Sequence, residues 1–171
     1  MNQSYIVKIF PEIRKIKVRS LRQAVISAWL RAIEKGRWKR IADVPFTLLI
    51  KTKCSLIEHT RAVTNSAMAV AQLRDDVDMD IIIAGGLLHD VGKLLEYKRS
   101  SKGIIKSPAG KMVRHPIAGY GIAVEVGVPL EVAHIIAAHS VEGEKVIRSR
   151  EAIIIHHCDF IDFEIARLAQ Y

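Results

Sequence analysis

Apolar residues recur at helical spacing along most of the chain. Leu21, Val25, Ala28, Trp29 and Ala32 keep a period of about 3.6 residues behind Ser20, a candidate cap, and Gly36 is placed to stop that helix. Ser55-Leu56-Ile57-Glu58 reads as a capping box, in which the serine hydroxyl and the glutamate side chain satisfy each other's free backbone amides. The helix behind it sets Leu56, His59, Val63, Ala67 and Val70 on one stripe, so His59 is predicted to point inward. Asp78 or Asp80 opens the next helix, residues 81 to about 91, and Gly92 ends it. Pro116 suits the first position of a further helix, with His115 as its half-in neighbour and Gly127 past its end. Pro129 starts another, running to about Ser140, and Glu151 opens a last long one through Ala169. Alternating strand patterns are absent; residues 44–50 are the one candidate for a short extended piece. Residues 98–114, rich in Gly, Ser, Pro and Lys, read as a mobile loop. The predicted fold class is all-α.

At 171 residues the chain has the size of one ordinary domain, and 50% hydrophobic against 26% charged residues is enough to bury a core. No apolar run approaches the roughly 18 residues a membrane span needs. Lys8 and Glu12 interrupt any secretory-leader pattern, so a cytoplasmic protein is expected. Cys54 and Cys158 form no CxxC pair, which excludes a zinc ribbon or a disulfide framework. The net charge of +8 is unevenly placed: residues 1–53 hold 13 of the 26 Lys/Arg but only 3 of the 18 Asp/Glu. The expected organisation is therefore a basic helical segment, 1–53, packed on a domain of 54–171. Such a basic surface suits phosphate-rich ligands or nucleic acid, but a solvated helical face is the simpler explanation. Because much of the segment has packed periodicity, weak nucleic-acid affinity is predicted. A second copy of the chain is a further candidate partner.

Seven histidines in a helical chain ask for an explanation. One histidine on an apolar stripe is more often a hydrogen-bonded core residue than a ligand. His89-Asp90 is more informative. Neighbours on a helix diverge by about 100°, so the two can serve one metal only at a crowded helix crossing. Gly85 and Gly86 lie on the face of His89 and would allow that crossing. Lys93, three residues after Asp90, would overhang the same place, or would simply favour the end of a helix by its charge.

The ordered set His59, His89-Asp90-Val91-Gly92-Lys93, His115-Pro116, His139 and Asp159 resembles the HD superfamily of metal-dependent phosphohydrolases. The likeness covers residues 54 to 165, and residues 1–53 look like the leader of small stand-alone HD proteins. It implies an HD-domain helical bundle with His59, His89, Asp90 and Asp159 around one metal. His115 and His139 are similar to the extra histidines of the dinuclear branch that includes HD-GYP proteins, which implies a second metal shared through Asp90. His139-Ser140 stands where that branch has two successive histidines, and no Gly-Tyr-Pro follows, so a cyclic di-GMP activity is not implied.

The resemblance implies one or two divalent ions, and imidazole with carboxylate suits Mn, Fe, Co, Ni or Zn. Two such ions can share a hydroxide nucleophile and clamp phosphate oxygens during in-line displacement. Asp90 and Lys93 are the expected catalytic residues. Lys93, Arg114 and Glu142 are expected to meet substrate, with Lys98, Arg99, Lys102, Lys106 and Lys111 above the site. His134 and Cys158 read as structural, His156 as hydrogen-bonded, and His157 as pointing elsewhere. The function implied is hydrolysis of a small phosphomonoester or phosphodiester, in the nucleotide class. The competing reading is a non-catalytic nucleotide- or RNA-binding module that keeps its metal site. A complete ligand set argues against it, since disused buried polar groups are costly to keep.

Overall fold

In the computed structural model, which describes residues 1–168, eight helices and one small hairpin follow in chain order. They are α1 (Gln3–Ile9), α2 (Arg19–Lys35), α3 (Leu56–Ala71), α4 (Met79–Leu88), α5 (Lys93–Glu96), β1 (Tyr97–Ser100), β2 (Gly103–Lys106), α6 (His115–Glu125), α7 (Leu130–Ala138) and α8 (Arg150–Leu168). The all-α class holds, with the hairpin as its one departure among the described residues. The expected end of the last helix at Ala169 lies outside the described residues.

The most apolar stretch of the sequence becomes the central element. Ile82, Ile83, Ala84, Gly85, Gly86, Leu87 and Leu88 are all buried, and α4 packs against α2, α3, α7 and α8. A helix that is apolar all round belongs inside a bundle. Its two glycines do what the sequence suggested. A β-carbon on Gly85 would lie 2.6 Å from the Ile135 side chain of α7, and one on Gly86 would lie 2.8 Å from Thr64 of α3. Close approach of those two helices brings their histidines to the end of α4.

The N-terminal segment shares this core. Ile6, Phe10, Ile13, Ile16, Val25 and Trp29 belong to the same buried cluster as α4, and the Trp29 indole N–H donates to the Leu87 carbonyl at 3.0 Å. Buried Asp80 fastens the turn before α2. Its carboxylate accepts the backbone N–H of Lys17 at 2.9 Å and of Val18 at 2.8 Å. Asp80→Ala would leave both donors without an acceptor, and an unsatisfied buried group costs about 1–3 kcal/mol. A loss of about 2–4 kcal/mol in urea unfolding is expected, whereas Asp80→Asn, which keeps one acceptor oxygen, loses less.

Several boundaries differ from the sequence reading: α2 begins at Arg19 behind Val18, with no side-chain cap, so Ser20 lies inside the helix rather than capping it. The capping box forms at Ser55 and Glu58, but Val70 is 42% exposed and Ala71 takes its place in the core. The Val70 error is angular drift, because the stripe rotates past it over four turns. Helix α4 stops at Leu88, and Gly92 precedes a new short helix rather than ending the old one. His115 is the first residue of α6, one position earlier than expected.

The predicted mobile loop is a built structure. β1 and β2 pair antiparallel, Tyr97 opposite Lys106. A short 3₁₀ turn at Ala109–Lys111 then folds under α5. Ser107 anchors it, its hydroxyl donating to the Leu95 carbonyl and accepting from Gly110 N–H. Gly110 is required by space: a β-carbon there would lie 2.1 Å from the Glu96 carbonyl oxygen. The composition is that of a tight, backbone-crowded turn, and loop-like residue types serve both.

Candidate metal centre

Five elements converge on one buried point. His59 comes from the first turn of α3, His89 caps the C-terminus of α4, and Asp90 follows it directly. His115 begins α6, His139 caps the C-terminus of α7, and Asp159 sits mid-way along α8. All six residues of the sequence-predicted set thus meet. His59, His89, Asp90, His115 and His139 are buried, and the Asp159 side chain is 15% exposed.

Asp90 divides the set in two. Its Oδ2 lies 3.3 Å from His59 Nε2 and 3.5 Å from His89 Nε2, while its Oδ1 lies 3.2 Å from His115 Nε2 and 3.7 Å from His139 Nε2. Asp159 Oδ1 joins the first group at 3.1 Å from His59 Nε2. The donor atoms of His59, His89 and Asp159 lie within 4.8 Å of one another, and so do those of Asp90, His115 and His139.

Each histidine offers Nε2 to the centre because Nδ1 is engaged behind it. His89 Nδ1 donates to the Gly86 carbonyl at 2.7 Å, and His139 Nδ1 to the Ile136 carbonyl at 2.9 Å. His59 Nδ1 meets Asp162 at 2.6 Å, and His115 Nδ1 meets Glu96 at 2.9 Å. Such acceptors behind a ring fix its tautomer and orientation in metal sites. Asp90 Oδ1, fully buried, has no hydrogen-bond donor among the described residues. A buried, donorless carboxylate oxygen amid nitrogen lone pairs fits a cation, and the donor set suits first-row transition metals.

The electrostatics agree. Burial alone would raise the Asp90 carboxyl, but the charges of Lys93 and His89 hold it well below the usual carboxylate range. Asp159 is likewise held down, against its burial, by hydrogen bonding to His59. Burial would lower His59, yet Asp159, Asp162 and Asp90 outweigh it and raise the imidazole to about 10. Burial keeps His115 neutral, lowering it to about 4 despite Glu96.

Beside the centre opens a cavity of about 280 Å³. Lys93, Lys106, Arg114, His115 and Asp159 line it together with aromatic side chains. Lys93 stands at the start of α5, where the helix dipole opposes a cation, so its position answers to Asp90, 2.5 Å from its ammonium. Of the basic residues expected above the site, Lys106 and Arg114 reach the cavity. Arg99 instead pairs with Asp43 at 2.8 Å, and Lys98, Lys102 and Lys111 are exposed and do not line it. Alternation along the hairpin accounts for Lys98, which lies on the face opposite Tyr97 and Lys106, whereas Arg99 shares their face and is held away by Asp43. Glu142 pairs with Arg114 at 3.2 Å. His134 accepts from Ser149 N–H, His156 Nδ1 donates to the His139 carbonyl at 2.6 Å, His157 is exposed, and Cys158 packs in the core.

Sequence reasoning missed Asp162, Glu96 and Phe46. Asp162 lies one helical turn beyond Asp159 and Glu96 one turn beyond Lys93, so helical spacing pointed to both. Phe46 stacks on the His59 ring at 4.5 Å from an irregular loop, and no periodicity marks it.

The chain belongs to the HD domain family, which matches residues 56–164 and so spans the elements that carry all six converging residues. Among curated proteins the chain is similar to a dihydroneopterin 2′,3′-cyclic phosphate phosphodiesterase of Methanocaldococcus jannaschii. The two are 32% identical over 120 residues, which cover 67% of this chain and 48% of that protein. The chain thus spans about half the length of that relative. No solved structure matches it significantly.

Proposed function

We propose that this protein is a metal-dependent phosphohydrolase acting on a phosphomonoester or phosphodiester of the nucleotide class. One observation carries the reading: the two oxygens of Asp90 face two separate groups of imidazole nitrogens. In this account His59, His89, Asp90 and Asp159 hold one divalent ion, and Asp90, His115 and His139 hold a second, with Mn, Fe, Co, Ni and Zn as candidates. Bound ions supply water activation and neutralise phosphate charge. Lys93 directs its ammonium into the cavity from the edge of the centre, so it anchors a phosphate oxygen. Arg114, oriented by Glu142, holds the substrate nearer the mouth. Support for a phosphodiester comes from the relative, whose name specifies a cyclic phosphate diester.

The test is a panel of phosphomonoesters and of linear and cyclic phosphodiesters, offered to protein loaded with each candidate metal. Turnover of at least one class is expected, and none with any metal would overturn the reading. Lys93→Ala should keep its metal and lose about 10- to 100-fold in kcat/KM, the worth of one charge-assisted hydrogen bond. Wild-type kinetics in that variant would confine Lys93 to neutralising Asp90.

A further inference from the structure

The cavity beside the centre has two unlike walls. The cationic wall is Lys93, Lys106 and Arg114, and none of the three is uncommitted. Lys93 is bonded to Asp90, Lys106 lies 3.3 Å from Glu96, and Arg114 lies 3.2 Å from Glu142 and 3.9 Å from Glu96. Glu96 and Asp90 are themselves buried, so these pairings are built in rather than incidental to the surface. Residues with spare positive charge, such as Lys98 and Lys102, do not line the cavity. With Lys93, Lys106 and Arg114 set against Asp90, Glu96 and Glu142, the wall has no uncommitted charge to offer a chain of phosphates, while the N–H donors of Lys93 and Arg114 can still meet the oxygens of one.

The other wall is aromatic. Phe160 and Phe163 follow Asp159 on one face of α8, and Phe46 meets Phe163 edge-to-face at 6.3 Å. Tyr97 reaches the same space from β1, and its buried hydroxyl is kept protonated by burial and by the charges of Asp90 and Glu96. Rings in a cavity of this size offer stacking or edge contact to one flat group, the interaction by which proteins hold unpaired bases.

Resting on the phosphohydrolase reading, we infer that the site takes a compact ester with a single phosphate and one flat, ring-shaped group, and discriminates against polyphosphates. The ring packs between Phe160, Phe163 and Tyr97 while the phosphate meets Lys93 and Arg114. The selectivity comes from these two walls rather than from the metal ligands.

Titration calorimetry on metal-loaded protein tests this with three probes, guanosine 5′-monophosphate, guanosine 5′-triphosphate and ribose 5-phosphate, while their turnover is followed in parallel. The monophosphate is expected to bind at least about tenfold tighter than ribose 5-phosphate, as stacking of one base provides, and tighter than the triphosphate. Phe163→Ala and Phe160→Ala, on the partly solvent-facing side of α8, should erase the advantage over ribose 5-phosphate and leave the latter's affinity unchanged. Equal affinity for ribose 5-phosphate, or a triphosphate bound as tightly as the monophosphate, would overturn the inference. Selective binding of the monophosphate without turnover of any ester would instead count against hydrolysis alone, so the two failures are separable.

Discussion

Asp90→Ala is expected to lose both metal ions and all measurable hydrolysis. Among the described residues Asp90 alone faces both imidazole groups, with Oδ2 toward His59 and His89 and Oδ1 toward His115 and His139. A shared carboxylate offsets the repulsion between two cations, and no neutral imidazole can do so. Replacing a residue that merely supports a ligand weakens metal affinity or activity about 10–100-fold; removing the shared ligand should exceed that range. Asp90→Asn separates charge from shape. It keeps the volume and one carbonyl oxygen, and it should still fail to retain two ions. Circular dichroism on both variants distinguishes this loss from unfolding, since Lys93 also loses its partner.

Gly92→Ala is the second large effect, and it acts through space. Gly92 has φ −65° and ψ −17°, a conformation any residue adopts. A β-carbon there would nevertheless lie 2.0 Å from the His115 carbonyl oxygen and 2.5 Å from Gly119 N, both of them backbone atoms. Neither neighbour can rotate away, so α6 must shift at its N-terminus, and His115 shifts with it. Overpacking typically costs about 1–3 kcal/mol and occasionally more, and a backbone clash on both contacts belongs at the upper end. Urea unfolding should show about 3 kcal/mol of destabilisation, and the metal at His115 and His139 should be lost before the one at His59 and His89. A variant as stable as wild type would show that α6 is free to move, and the pre-positioning of His115 would have to be abandoned.

The legible and illegible parts of this molecule divide along a physical line. Helices α2, α3, α6 and α7 were readable because Gly36, Ser55, Gly127 and Pro129 mark their ends with local chemistry that tertiary packing did not override. The convergence of His59, His89, Asp90, His115, His139 and Asp159 was readable as an ordered motif, and Gly85 and Gly86 gave it a steric reason. Residues 97–106 were misread because their strands are short and half exposed, so no alternating pattern of apolar residues marks them. The lysines of that segment were counted together, although pairing turns Lys106 inward with Tyr97 and leaves Lys98 on the other face. Residues 44–50 were read as the one candidate for a short extended piece, but the stacking of Phe46 on His59 was illegible for a different reason. The position of that loop depends on Leu56 N–H donating to the Val44 carbonyl and on the Pro45–Ser55 bridge, contacts made only once α3 exists.

The count of metal ions per chain tests the account most directly. Elemental analysis of wild type, His139→Ala and Asp90→Ala, each purified after loading with the same metal, should give roughly two, one and none. His139 contributes only to the group around Asp90 Oδ1, so its loss should spare the ion held by His59, His89 and Asp159. A wild type holding one ion, with stoichiometry and activity unchanged in His139→Ala, would contradict a two-metal centre and return His115 and His139 to structural or substrate-contacting roles.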